Sequence, residues 1–524
     1  MGIGIGAEYP LSAVITSEWS STQSRATMLS SVFLMQPVGQ ALAQLVGLWV
    51  LLGREGKFQL TELQCGLNDL NEAQCRRAID GIWRIVIGSG AVPALLAIIF
   101  RFFLYDCGLY SLEVKNKPGI ALRDTQRIYG ATPAAIDLGS PSVMQQNSPQ
   151  AMPVQFSKDD LYNYFIRDRN WIYLLGTSMT WFILDVGFYG FSLDNRGTLA
   201  DIWATHPAVA IDANLPCWNS TLPDGGGTSA VPRWRDAGAL PSWATDATNP
   251  CQTISEVLVE QAQQYLLTVS ASSIAGSAAF IWFADRLPRR RWLTTSFLVL
   301  AFLFIAAGAV YYGVAHTSAA PATVALVAVC HFAFNFGANT LTFLLPAEVF
   351  PTCYRCTCHG ISAAAGKVGS LVAVLVVYGI NTSYSSSTRQ GLIFVLFGSV
   401  LLLGAVYSWA YLPDPQRRRP GGGFESKTLE ELGGGRERAR VEGEVITVRE
   451  KVREIRRRRR ERGRTTDFGG GGGGGGPQPG RIEPQGVDNE YQQTGAEKNQ
   501  LGGLEHDMPL YTYILHFGTD IMSE

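Results

Sequence analysis

Gly360-Ile361-Ser362-Ala363-Ala364-Ala365-Gly366-Lys367-Val368-Gly369-Ser370, running on through apolar residues to Tyr378, decides how this chain folds. The stretch is apolar enough for a membrane helix, yet it carries one lysine. Burying a lone ammonium in hydrocarbon is costly, so such residues turn toward a bundle interior and meet an anion or a carboxylate. A second apolar stretch supplies a matching acid: Trp181, Asp185 and Tyr189 fall four residues apart, on one face of a helix. A cation and an acid, each inside an apolar span, fit a pathway for a charged solute. The same two residues would also serve as a structural pair clamping two helices.

Outward from these stretches, apolar runs alternate with polar loops. A crossing needs about 20 mostly apolar residues. The predicted spans are a partial one at 1–17, then 26–52, 85–104, 171–193, 264–284, 292–313, 322–345, 359–380 and 391–412. The fold class is an all-α membrane protein. The averages over 524 residues, 47% hydrophobic and 17% charged, conceal it because residues 416–524 are polar and Gly-rich. The net charge of −1 mixes the same two regions and says little about partners. Met1-Gly2-Ile3-Gly4-Ile5-Gly6 has no basic region before an apolar core, so it reads as helix rather than as a cleaved signal.

Basic loops favour the cytoplasm, and Asp285-Arg286-Leu287-Pro288-Arg289-Arg290-Arg291 is the tightest one. Placing it inside puts 53–84, 194–263 and 381–390 outside, and 105–170 with the C-terminus in the cytoplasm. The sequons at Asn219 and Asn381 then fall outside, where glycosylation acts. Loop 53–84 runs against the rule, with Arg54, Lys57, Arg76, Arg77 and Arg84. Cys65/Cys75 and Cys217/Cys251 also lie outside, where each pair can form a disulfide. Cys353, Cys356 and Cys358 cluster without the spacing of a metal site, and none is predicted. Beyond Leu412, the charged stretch Arg436–Arg464 and the glycines 469–476 read as a disordered tail. Its Arg456–Arg460 run suits a solvated helix or a contact with anionic lipid.

Polar residues recur inside the spans. Gln36, Gln40 and Gln44 share one helical face, and Asn335 and Asn339 share another. Hydrocarbon offers amides no partner, so they pack inward, either to bind helices together or to face a solute. Glu8-Tyr9-Pro10 joins an acid, a phenol and a helix breaker in the first span. Tyr9, Gln36, Trp181, Tyr189 and Asn339 as donors, Lys367 as cation and Asp185 as acid make a kit suited to a tetrahedral oxyanion. No nucleophile–base pair, P-loop, dinucleotide fingerprint or HExxH motif occurs, so neither an enzyme nor a cofactor is expected. Without an ATP-hydrolysing module, pumping would draw on an ion gradient. Nucleic-acid binding does not fit a chain of membrane spans.

Four segments resemble the phosphate:proton symporters of the major facilitator superfamily, in their fungal high-affinity branch. They are Gly2 through Ser12; Trp181 through Gly190; Phe334 through Thr340; and Pro346-Ala347-Glu348-Val349-Phe350-Pro351-Thr352-Cys353-Tyr354-Arg355 continuing to Gly369. Pro413-Asp414, Arg417 and Lys427 to Glu431 look like that family's ending. The resemblance implies two six-helix halves with a site between them at the membrane midplane. It implies inorganic phosphate and protons as cargo, and a plasma-membrane location. Carried over residue by residue, it implies phosphate binding by Tyr9, Gln36, Trp181, Asp185, Tyr189, Asn339 and Lys367, with Asp185 and Glu8 in proton coupling. The domains expected are 1–104, holding helices 4–6 of the first half; 105–170, a central cytoplasmic loop; 171–412, the second half; and 413–524, the tail. Against the family pattern, three helices before Gly2 are missing, so about nine of twelve are expected. Glu8 stands where an aspartate is usual, and a glutamate there is also similar to the related glycerophosphodiester porters. Leu104-Tyr105-Asp106-Cys107-Gly108-Leu109-Tyr110 replaces the usual Pro-Glu-Ser-Pro-Arg-Tyr. A porter of glycerophosphodiesters and a phosphate sensor that does not transport are the alternatives.

Overall fold

The computed structural model describes residues 2–60, 65, 72–103, 110–115, 117–129, 157–192, 253–314, 321–383, 386–418, 423–444 and 447–467. The fold is helical. In chain order it has α1 (Gly2–Trp19), α2 (Arg25–Phe58), α3 (Glu72–Ser89), α4 (Ala91–Arg101), α5 (Pro118–Tyr129) and α6 (Trp171–Ser192). Then come α7 (Ile254–Phe283), α8 (Arg289–Val314), α9 (Pro321–Ala333 continuing through Phe334–Ala338 and Asn339–Val349), α10 (Thr352–Ser383) and α11 (Ser386–Tyr411). Eight described helical stretches are long and apolar enough to cross a membrane. The helix α1 is not among them, because Glu8, Glu18 and three glycines dilute its 18 residues.

Several expected boundaries move. The span placed at 264–284 begins at Ile254, so residues 254–263 belong to a helix and not to the outer loop. Polar Glu256, Glu260, Gln261, Gln263 and Gln264 hide this helix start from a hydropathy reading. A capping box supplies its signal, with Thr253 Oγ1 accepting from the Glu256 N–H and Glu256 accepting from the Thr253 N–H at 2.8 Å. Likewise α2 runs on to Phe58, α3 starts at Glu72, and α10 and α11 fill most of 381–390. Asn381 therefore lies in the last turn of a helix rather than in an open loop. Asn219 and Cys217/Cys251 lie outside the described residues. Cys65 and Cys75 form the expected disulfide, inside a small core of Leu51, Leu60, Ala78 and Ile82. Cys65 O also accepts from the Ile254 N–H at 3.0 Å, tying the start of α7 to this turn.

The central segment 105–170 is partly helical over Tyr110–Val114, Pro118–Tyr129 and Lys158–Arg167. Burial beside Phe165 and Tyr354 holds the Tyr164 hydroxyl above the ordinary phenol range. The tail is not structureless at its start. Gln416–Arg418 (β1) pairs antiparallel with Phe424–Ser426 (β2), and α12 (Leu429–Gly433) and α13 (Gly435–Val441) follow. Thr428 caps α12 by the same box, with Glu431 as its partner. A second compact unit begins at Val445, and its described element is α14 (Val448–Asp467), a helix that takes in the Arg456–Arg460 run within a tail expected to be disordered. Residues 468–524 lie outside the described residues.

The main core joins Ala13 of α1 and Ala26, Leu29, Val32 and Phe33 of α2 to Phe297, Phe304, Phe334, Phe394 and Phe397 of the later helices. The helix α6 is central, packing on α10 and on α11. Glycines permit this closeness. A Cβ at Gly369 would lie 2.3 Å from the Phe182 carbonyl oxygen, so α6 and α10 meet backbone to backbone.

Candidate functional site

Three interfaces converge near the middle of the bundle: α1 on α10, α6 on α10, and α2 on the end of α9. Tyr9, Gln36, Trp181, Asp185, Phe188, Tyr189, Asn339, Ala363 and Lys367 line one cavity there, about 300 Å³ with its open mouth included. All seven residues expected to bind one solute are thus brought together, from five helices far apart in sequence.

Each reaches the cavity for a local reason. The four-residue spacing of Trp181, Asp185 and Tyr189 keeps them on the α6 face turned to α10. Gly366 lets α10 come close: a Cβ there would lie 2.5 Å from Trp181 Cδ1 and 2.8 Å from Asp185 Oδ2. Asn339 is aimed by a widened π-helical turn at Phe334–Ala338, a distortion common at functional sites. That turn loosens the ladder, and side chains take up its carbonyls. Thr340 Oγ1 donates to Asn335 O at 2.8 Å, and Trp292 Nε1 donates to Phe336 O at 3.0 Å. Asn339 Nδ2 in turn donates to Asn335 Oδ1 at 3.4 Å.

The polar groups are unevenly satisfied. Lys367 Nζ donates to Tyr189 Oη at 2.8 Å and lies 4.7 Å from the centre of that ring. Its side chain is exposed, at the open lip of the cavity rather than buried in the bundle. Asp185 is 3% exposed and accepts from Ser370 Oγ at 3.4 Å. The Gln36 amide oxygen is buried with no hydrogen-bond partner. Gln40 and Gln44, expected on the same face, are half-buried and do not line the cavity. Asn335 is also behind the wall, held by the His331 carbonyl. Glu8 does not line the cavity, and its carboxylate pairs with Arg101 of α4.

The polarity reading missed Phe188, Ala363 and Ser370. Ala363 lies one turn before Lys367, so its register alone could have found it. Behind Tyr9 and Trp181 sits His359, fully buried, another residue the reading passed over. Among the described residues no cluster suited to a metal ion occurs.

Residues 1–137 and 253–418 match the family described as sugar (and other) transporter. The repressible high-affinity phosphate permease of Neurospora crassa is 30% identical over 441 residues, covering 83% of this chain and 67% of that protein. The inorganic phosphate transporter PHO84 of Saccharomyces cerevisiae is 29% identical over 457 residues, covering 82% of this chain and 65% of that protein. The probable inorganic phosphate transporter 1-9 of Arabidopsis thaliana is 26% identical over 429 residues, with 80% and 71% covered. Among solved structures, the proton:xylose symporter XylE of the major facilitator superfamily aligns at a TM-score of 0.52 and 16% identity, covering 83% of this chain and 72% of that one. That likeness concerns the fold.

Proposed function

The chain belongs to the sugar (and other) transporter family of multi-pass membrane proteins, and on that premise we propose that it carries inorganic phosphate together with protons across the plasma membrane by alternating access. One observation carries the reading: an ammonium, a carboxylate and five neutral polar side chains converge on one small cavity. Lys367 supplies the charge for the anion, and Tyr9, Trp181, Tyr189 and Asn339 supply neutral donors. The bare amide oxygen of Gln36 matches the P–OH of a protonated phosphate, since a buried acceptor wants a donor. Bound phosphate would draw the Lys367 ammonium away from Tyr189.

Asp185 gives the coupling. Two negative charges in contact repel, so the anion binds best when Asp185 holds a proton, and each cargo favours the other. Glu8, held by Arg101 next to Tyr9, is the second proposed proton carrier. The Cys65–Cys75 bridge supports an outer location for that end of the bundle. The tail then lies in the cytoplasm, and Asn219 is proposed to carry glycan. The relatives named as phosphate permeases and phosphate transporters favour phosphate as cargo over a glycerophosphodiester.

The test is phosphate titration of the purified chain, followed by uptake in liposomes with a pH gradient. Lys367→Ala is expected to weaken phosphate binding by about 100-fold or more, the loss of a charge-assisted contact. Near-normal affinity would remove the site. Asp185→Asn is expected to leave phosphate movement insensitive to the pH gradient. Displacement of phosphate by glycerophosphoinositol at equal concentration would move the reading to the glycerophosphodiester porters, and binding without flux would make the chain a sensor.

A further inference from the structure

We propose that His359 is a proton-holding site behind the cytoplasmic wall of this cavity. The inference rests on the phosphate–proton reading for its role, but not for its chemistry. His359 lies on α10, about two turns before Lys367, and is 0% exposed. Its Nε2 is 3.0 Å from the carbonyl oxygen of Phe343. A carbonyl only accepts, so Nε2 carries the hydrogen and Nδ1 is left as a bare lone pair. That Nδ1 is buried and has no hydrogen-bond partner.

Three aromatic rings enclose the imidazole. Trp181 and Phe343 stand at 5.4 Å and nearly perpendicular to it, and Tyr9 stands at 6.2 Å. Tyr9 and Trp181 also line the cavity, so the imidazole is one side chain removed from the bound anion. A purely structural histidine would account for the Nε2–H bond, which an amide could make as well. That bond fixes Nδ1 as the basic atom of His359, whereas neither ring nitrogen of the equally buried His331 has a partner.

Ionisable groups on the surrounding elements include Tyr9, Glu8 and Glu18 on α1, Asp185, Tyr173 and Tyr189 on α6, and His331 and Glu348 on α9, the last bound by Arg289. On α10 itself the nearest in sequence are Arg355, paired with Glu18, then Cys356 and Cys358, with Lys367 about two turns on. In the step, the Nδ1 lone pair takes a proton from a hydronium ion that reaches it as the cavity wall parts. The O–H bond breaks as the N–H bond forms, leaving water and an imidazolium. Cytoplasmic water then takes the proton and restores the neutral ring.

His359→Gln keeps a donor for the Phe343 carbonyl and removes the basic lone pair. In the purified full chain labelled with ¹⁵N-histidine, the signal lost in His359→Gln identifies the residue. It is expected to show an unprotonated Nδ1 at neutral pH and to become doubly protonated on acidification while the protein stays folded. An Nδ1 that remains bare until unfolding overturns the proposal, whether or not phosphate binds. Calorimetry of inorganic phosphate binding in buffers of different ionisation enthalpy then counts the protons linked to binding. His359→Gln is expected to bind phosphate within about threefold of the parent while the linked proton count shifts by about half a proton or more. An unchanged count overturns the coupling, as does a shift found in His331→Gln instead. Failure of the parent to bind phosphate would strike the proposed function and leave the spectroscopic test standing.

Discussion

At the scale of single residues, the site depends on a missing methyl group. Gly366 brings α10 onto Trp181 and Asp185, and an added Cβ would overlap both. Gly366→Ala is expected to push these two walls apart and weaken phosphate binding by about tenfold or more, because well-packed interiors do not absorb such a shift. Gly360→Ala is the control, since its Cβ would meet only Pro10 Cγ at an ordinary 3.5 Å. Equal phosphate titrations for the two variants would mean that the close approach at Gly366 is incidental. The seven polar residues of the cavity were legible in the sequence because a polar group inside an apolar run stands out by contrast. Phe188 and Ala363 offered no contrast, being apolar residues among apolar residues. His359 lay at the very start of its predicted span, where polar residues are ordinary.

Elements were legible where lipid writes the sequence and obscure elsewhere. Hydropathy found the later part of α7 but not its start, where Glu and Gln outnumber the Ile254, Leu258 and Val259 that pack on the turn holding Cys65. The π-helical turn that aims Asn339 has no sequence marker either, since Asn335-Phe336-Gly337-Ala338-Asn339 would also fit a regular helix. The tail hairpin was hidden by neighbouring Gly-rich sequence that suggested disorder. The start of α7 is set by a cap, and its strength can be measured. Thr253→Ala is expected to lower unfolding stability by about 1 kcal/mol, whereas Thr253→Ser keeps the hydroxyl and most of the stability. Thermal unfolding of both variants in detergent checks this. A midpoint for Thr253→Ala equal to the parent's would show that packing of Ile254 and Leu258 alone fixes the helix start.

Over the whole molecule, the side bearing the tail is fastened by buried charges. Glu18 of α1 meets Arg355 of α10 at 2.7 Å, with both side chains almost wholly buried. Arg289 meets Glu348 at 2.7 Å, and Arg25 of α2 reaches the Lys427 carbonyl at 3.2 Å. The hairpin joins in, since Gln416 Oε1 and Ser426 Oγ each accept from Arg289 at 2.8 Å. These contacts bind α1 and α2 to the later helices on the side proposed to be cytoplasmic. A carrier that releases cargo there must part at least the Glu18–Arg355 pair. Buried pairs are poor sources of stability, but removing one partner strands the other at a cost of about 3–5 kcal/mol. Arg355→Met is therefore expected to destabilise the chain by about that amount, and Glu18→Leu/Arg355→Met to recover most of it, because apolar residues replace a buried pair at little cost. If the double variant is as unstable as the single one, the packing of Arg355 matters rather than its charge. The recovered variant separates a clamp from a latch. Ala363→Cys, placed in the cavity wall of a chain with exposed Cys356 replaced by serine, should react faster with an impermeant maleimide from the tail side once the pair is gone. An unchanged rate in that well-folded protein would show that Glu18 and Arg355 hold the structure together without governing which way the cavity opens.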